Sequence, residues 1–121
     1  MKILLVDDEP QFLKMLKFKF LLDNYEVVTA INGKIGIEKA FSESPNIIFL
    51  DIKIPEIDGF EVIRRLRRSP ITRYIPILIL SNFEDQEMIE KGLSLGANEY
   101  LVKTRFTPEE VSAKVKNWIS A

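Results

Sequence analysis

The sequence predicts a doubly wound α/β fold, with a five-stranded parallel sheet covered by helices on both faces. Two observations carry that prediction. Short apolar runs rich in β-branched residues recur five times along the 121 residues, and segments with charged and apolar residues at helical spacing lie between them. The runs are apolar at nearly every position rather than at alternate ones. Both faces of each strand must therefore be buried, as in a parallel sheet joined by right-handed helical crossovers.

The first strand, β1, is read at residues 3–6 (ILLV), followed by a helix α1 over 11–22. In α1, Leu13, Leu16 and Phe20 supply a core stripe, which leaves Phe12 and Met15 on its flank. Strand β2 is expected at 25–29 and helix α2 at 34–42. Strand β3 follows at 46–50, and α3 at 60–68 interleaves Phe60, Ile63 and Leu66 with Arg64, Arg65, Arg67 and Arg68. That interleaving makes the arginine cluster the solvated face of the helix. Strand β4 is expected at 75–80, α4 at 85–95, β5 at 99–102 and α5 at 108–119. The start of α5 is the most sharply marked, because Thr107, Pro108 and Glu110 fit the N-cap, first and third positions of a capping box. One domain over residues 1–121 is expected, with no repeat or low-complexity tract.

Composition removes whole classes of chemistry. The chain has no cysteine and no histidine, which excludes a thiol nucleophile, a zinc-thiolate site, an imidazole-based triad and a phosphohistidine on the chain itself. Seventeen basic against eighteen acidic residues give a net charge of −1, which is no footprint for nucleic acid or an anionic membrane. The opening MKILLVDDEP holds only a short apolar stretch broken by acids, too short for a secretion signal or a membrane span, so the expected location is the cytoplasm.

In a parallel sheet every strand's C-terminal end lies on one edge, where ligands of such folds bind. Asp7-Asp8-Glu9 follow β1, Asp51 follows β3, Ser81-Asn82 follow β4 and Lys103 follows β5. A single acid after a strand ordinarily caps the next helix. Asp7, Asp8 and Asp51 together would repel one another at close range, so the cluster calls for a cation, and Mg2+ suits an all-oxygen site.

These residues carry a resemblance that covers the whole chain. ILLVDDEP, NIIFLDIKIPEIDGFEVIRRLR, IPILILSN and LGANEYLVKTRFTPEEV, in that order, resemble the receiver domain of response regulators, the CheY-like superfamily of two-component signalling. The resemblance implies the flavodoxin-like strand order 2-1-3-4-5. It implies that Asp51 accepts a phosphoryl group from a histidine kinase or histidine phosphotransfer domain. Asp8 and Asp51 would ligate Mg2+ directly, Asp7 through water, and the backbone carbonyl of Lys53 would add an oxygen. Lys103 and the Ser81 hydroxyl would bind the phosphoryl oxygens, and Tyr100 would rotate inward with Ser81 to switch the α4-β5-α5 face toward a downstream protein. Phe12 and Met15 would form a docking patch for the phosphodonor. Lys53 and Phe83, each two positions beyond a site residue, would flank the phosphoryl group and set its lifetime. The implied activity is that of a phosphoacceptor signalling domain that assists its own phosphorylation and dephosphorylation, not of a turnover enzyme.

Two departures from the family pattern stand out. Thr104 replaces the usual proline after Lys103, so that peptide bond is expected to be trans. Asn82 replaces a small residue and narrows the phosphodonor's path. A Mg2+-dependent phosphohydrolase would use a similar aspartate but needs a second acid two residues on, where this chain has Lys53. A flavin mononucleotide binder would need a hydroxyl- or glycine-rich loop after β1, where this chain has Asp7-Asp8-Glu9-Pro10. The kinase, the oligomeric state, the downstream target and the distinction between a free-standing protein and a segment of a longer chain are not encoded in these motifs.

Overall fold

The computed structural model describes residues 1–119; the last two residues of the expected 1–121 unit lie outside the described residues. The observed order is β1 (Lys2–Val6), α1 (Pro10–Leu22), β2 (Glu26–Ala30), α2 (Gly33–Glu43), β3 (Ile47–Leu50), α3 (Gly59–Arg68), β4 (Ile77–Ser81), α4 (Gln86–Ser94), β5 (Glu99–Val102) and α5 (Pro108–Trp118). A single 3₁₀ turn, Lys103–Arg105, joins β5 to α5. All strand pairs are parallel and the sheet order is β2-β1-β3-β4-β5, as expected.

The continuous apolar runs separate by parity into two cores. Leu4, Val6, Ile48, Leu50, Ile77 and Ile79 pack against Ala40 of α2 and Val62, Ile63 and Leu66 of α3. Ile3, Leu5, Ile47, Phe49, Leu78, Leu80 and Leu101 face the other way, onto Leu16 and Phe20 of α1 and Val111 and Val115 of α5. Period-two side-chain alternation thus explains why these strands have no polar face. The capping box on α5 forms in full: the Thr107 hydroxyl accepts the Glu110 N–H at 3.1 Å, and the Glu110 carboxylate accepts the Thr107 N–H at 2.9 Å.

Besides one-residue shifts at the ends of several other elements, among them the start of β3 and both ends of α4, three expectations need correction. β2 begins one residue later than read, because the Tyr25 N–H donates to the Phe20 carbonyl and closes the end of α1, while the Tyr25 ring packs edge-on against Phe20. β4 starts at Ile77 rather than residue 75 and includes Ser81. Pro76 has no N–H to donate to a ladder, and the Ile75 carbonyl is taken by Arg67 at 2.8 Å. The third correction is Arg67 itself, which is half-buried rather than solvated. Its guanidinium donates to the carbonyls of Gly96, Arg73 and Ile75 and to Asn98 Oδ1 at 2.8–3.0 Å, joining the turn before β4 to the turn before β5. Arg64 and Arg65 behave as expected on the outer face, paired with Glu61.

Candidate functional site

The parallel sheet delivers the β1, β3, β4 and β5 termini to one edge, and the predicted polar residues meet there. Asp51 directly follows β3, and its placement depends on Gly59 at the start of α3. A Cβ on Gly59 would lie 2.4 Å from the Asp51 carbonyl oxygen, so only glycine lets α3 begin this close to the strand end. The Gly59 N–H donates to the Ile52 carbonyl at 2.8 Å, and Asp58 caps α3 by accepting the Glu61 N–H at 2.9 Å.

Asp51 is buried, with Oδ1 accepting the Ile52 N–H at 2.7 Å and Oδ2 accepting from the Lys103 ammonium at 3.0 Å. Asp7 is almost fully buried; its Oδ1 accepts the Glu9 N–H at 2.9 Å and its Oδ2 lies 2.8 Å from Lys103 Nζ. Asp8 is exposed, yet carboxylate oxygens of Asp7, Asp8 and Asp51 all lie within 4.8 Å of one another. Burial pushes the Asp7 and Asp51 carboxyls above their ordinary range, although Lys103 draws both down. Burial also opposes the charge on Lys103, but hydrogen bonds to Asp7 and Glu9 and the charge of Asp51 outweigh it and hold the ammonium above the ordinary lysine range. One ammonium thus contacts three carboxylates, counting Glu9 at 2.6 Å, and Asp8 adds a fourth to the cluster. An excess of hard oxygen donors with convergent lone pairs fits a small divalent cation such as Mg2+.

A cleft of about 340 Å³ opens onto this cluster and is lined by Asp8, Glu9, Asp51, Lys53, Asn82 and Phe83. Lys53 and Phe83 therefore both line the cleft, with Lys53 exposed and Phe83 half-buried. Ser81 is fully buried at the end of β4, and its hydroxyl accepts the Phe83 N–H at 3.1 Å. Tyr100, on edge strand β5, is half-buried; its phenol donates to the Phe83 carbonyl at 2.9 Å and ties β5 to the loop after Ser81. Burial pushes the Tyr100 phenol above its ordinary value. Phe12 and Met15 part company. Met15 is exposed, whereas the Phe12 ring is partly buried against the α1 and α5 core with the Lys103 ammonium 4.3 Å from its centroid.

Sequence reasoning missed two partners of Lys103. Glu9 was grouped with the strand-end acids but not paired with the lysine, and the Phe12 ring was not seen to meet its charge. The signal for Glu9 was available: a third acid beside the pair, on the same sheet edge as the only lysine at a strand end. The peptide bond after Lys103 is trans, since no cis bond occurs among the described residues.

A buried aspartate beside two further aspartates and a buried lysine lies at the C-terminal edge of a 2-1-3-4-5 parallel sheet, and the fold that carries it is the CheY-like, flavodoxin-like one. The chain belongs to the response regulator receiver domain family, whose model matches residues 3–116. It is 39% identical over 115 residues to the alkaline phosphatase synthesis transcriptional regulatory protein PhoP of Bacillus subtilis, covering 95% of this chain and 47% of that protein. The chain thus spans about half the length of that curated relative. Among solved structures, the chemotaxis response regulator CheY4 of Vibrio cholerae superposes with a TM-score of 0.89 at 30% identity over 98% of both chains. A two-component response regulator from Clostridium difficile gives a TM-score of 0.89 at 28% identity, over 97% of this chain and 93% of that one. Its class is therefore that of response-regulator receivers in two-component systems. Among the described residues, no helix is long and apolar enough to cross a membrane.

Proposed function

We propose that the 121 residues act as one cytoplasmic receiver unit that takes a phosphoryl group onto Asp51 from a phosphohistidine on a histidine kinase or phosphotransfer partner. The observation that carries this reading is the geometry of Asp51: buried, anchored by one oxygen on a backbone N–H, and held by Lys103 through the other. A carboxylate fixed in this way presents its remaining lone pairs toward the cleft without reorganisation. In the transfer, the Asp51 Oδ–P bond forms as the donor's P–N bond breaks, and the imidazole departs with the electron pair.

Lys103 then pairs with the phosphoryl oxygens, and the Ser81 hydroxyl exchanges the Phe83 N–H for one of them. That exchange loosens the turn on which the Tyr100 phenol is anchored, so the switch reaches β5 and with it the α4-β5-α5 face offered to a downstream protein. Asp8 and Asp51 directly, Asp7 through water, and the Lys53 carbonyl would hold Mg2+, which neutralises charge on the transferring oxygens when bound. Exposed Met15, with half-buried Phe12 beside it on α1, would form the docking patch for a donor helix. Lys53 and Phe83 shield the phosphoryl group from water at the mouth of the cleft. Neither side chain can act as a base toward water, which favours a long-lived acyl phosphate.

The test is phosphate incorporation from a small acyl phosphate with Mg2+ and with excess chelator. Incorporation that stops without divalent metal supports the assignment of the three aspartates; undiminished incorporation contradicts it.

A further inference from the structure

The Lys103 ammonium is fully committed in this structure. It has three N–H donors, and three carboxylates surround it: Glu9 at 2.6 Å, Asp7 at 2.8 Å and Asp51 at 3.0 Å. The Phe12 ring lies against the same ammonium. A phosphoryl group on Asp51 can gain a hydrogen bond from Lys103 only if one carboxylate gives up its own.

The three are not equally free to leave. The side chains of Asp7 and Asp51 are only 1% and 8% exposed, and each is also fixed by a backbone N–H, from Glu9 and Ile52 respectively. The Glu9 side chain is 51% exposed, and its other contact is the Asn82 amide at 3.5 Å, so water can replace Lys103 there at little penalty. Glu9 also occupies the N-cap of α1, yet its carboxylate makes no cap hydrogen bond; it is turned away from the helix N–H groups and onto the lysine. Finally, Glu9 lines the cleft through which a donor must enter.

We infer that Glu9 is a latch on Lys103: its carboxylate occupies the ammonium in the unphosphorylated protein and is displaced by the phosphoryl group. This rests on the phosphoacceptor reading of Asp51. Glu9 is then a positioning residue that opposes phosphorylation by keeping its lysine engaged, and release of Glu9 frees the donor and opens the cleft in one movement.

The test compares wild type with Glu9→Gln, Glu9→Asp and Glu84→Gln. Glu9→Asp keeps the charge but shortens the arm by one methylene, which breaks contact with Lys103 and allows the shorter acid to cap α1. Glu84→Gln removes a carboxylate from the neighbouring loop that is bonded to Arg105 instead. Two readouts are needed. The first is the acetylation rate of Lys103 relative to the other lysines, by peptide mass spectrometry on metal-free protein. The second is the rate of phosphorylation by acetyl phosphate with Mg2+, in which the Asp51 Oδ–P bond forms, the P–O bond to the acetyl group breaks and acetate leaves with the electron pair.

Both Glu9 variants should label faster at Lys103 and phosphorylate about 1.4- to fivefold faster, the range of one surface-accessible ion pair, while Glu84→Gln matches wild type. Unchanged Lys103 labelling in Glu9→Gln overturns the latch, as does a Glu9→Asp variant that behaves like wild type while Glu9→Gln is fast. If no protein is phosphorylated, wild type included, the phosphoacceptor reading fails instead, and the labelling still decides the contact.

Discussion

Replacing Asp51 with asparagine should make the metal-free protein more stable. Asp51 sits in the carboxylate cluster with Asp7 and Asp8, and its burial already pushes its carboxyl above the ordinary range. At an effective dielectric of about 20, attraction to Lys103 at 3.0 Å amounts to about 5.5 kcal/mol and repulsion from Asp7 within 4.8 Å to about 3.5 kcal/mol. The buried neighbours thus favour the charge by about 2 kcal/mol. Taking a carboxylate out of water has an effective penalty of several kcal/mol, about 3–4 here. The balance is about 1–2 kcal/mol against the aspartate, before the exposed and screened Asp8 adds its smaller repulsion. The amide keeps an acceptor for the Ile52 N–H, and Lys103 keeps Asp7 and Glu9. With an unfolding entropy of about 2.1 cal/mol/K per residue, 1.5 kcal/mol corresponds to a rise in Tm of about 6 °C. The assay is thermal unfolding followed by circular dichroism, in chelator and again in Mg2+. At ten times its Kd, Mg2+ stabilises the wild type by about 1.4 kcal/mol, which should close most of the gap, since the variant has lost a ligand. A variant less stable than wild type in chelator would refute the balance and place Asp51 as a net stabilising partner of Lys103.

Other consequences are open to measurement. Arg67→Met removes the guanidinium that joins the turns before β4 and β5, and should lower urea stability by about 2–3 kcal/mol with little effect on phosphate incorporation; a loss below about 0.5 kcal/mol would return Arg67 to the solvated face. Burial opposes the charge of Glu99, but hydrogen bonds from Lys114 and Trp118 hold its carboxyl below the ordinary range. Its folded value is depressed, so its contribution is complete above the ordinary value near 4.5 and fades as pH falls through the folded value. Glu99→Gln should therefore be less stable than wild type at pH 7 by a margin that shrinks in acid, and a pH-independent margin in urea titrations would contradict this. Lys53→Asn combined with Phe83→Glu should shorten the lifetime of phosphorylated protein severalfold; equal decay would show that these side chains do not shield the bond.

What could be read from the sequence followed from the geometry of a parallel sheet. Strand ends share an edge, so Asp7, Asp8, Asp51 and Lys103 could be brought together from three separate motifs without knowing a single distance. β5 and the capping box at Thr107 were legible because their signals are local. Arg67 was not, because three of its four acceptors are backbone carbonyls in the turns before β4 and β5, which leave no mark on residue type. The contact between Glu9 and Lys103 depends on the reach of two flexible side chains across the sheet edge. The start of β4 was misplaced because apolar Ile75 and Pro76 look like strand, while the missing proline N–H and the claim of Arg67 on the Ile75 carbonyl exclude them from it.

The central claim is that Asp51 is the phosphoacceptor, and intact-mass measurement after incubation with Mg2+ and acetyl phosphate tests it most directly. Wild type should gain the mass of one phosphoryl group and lose it again on standing, while Asp51→Asn should gain none. An equal gain in the variant, or none in the wild type with Mg2+ present, would contradict the account.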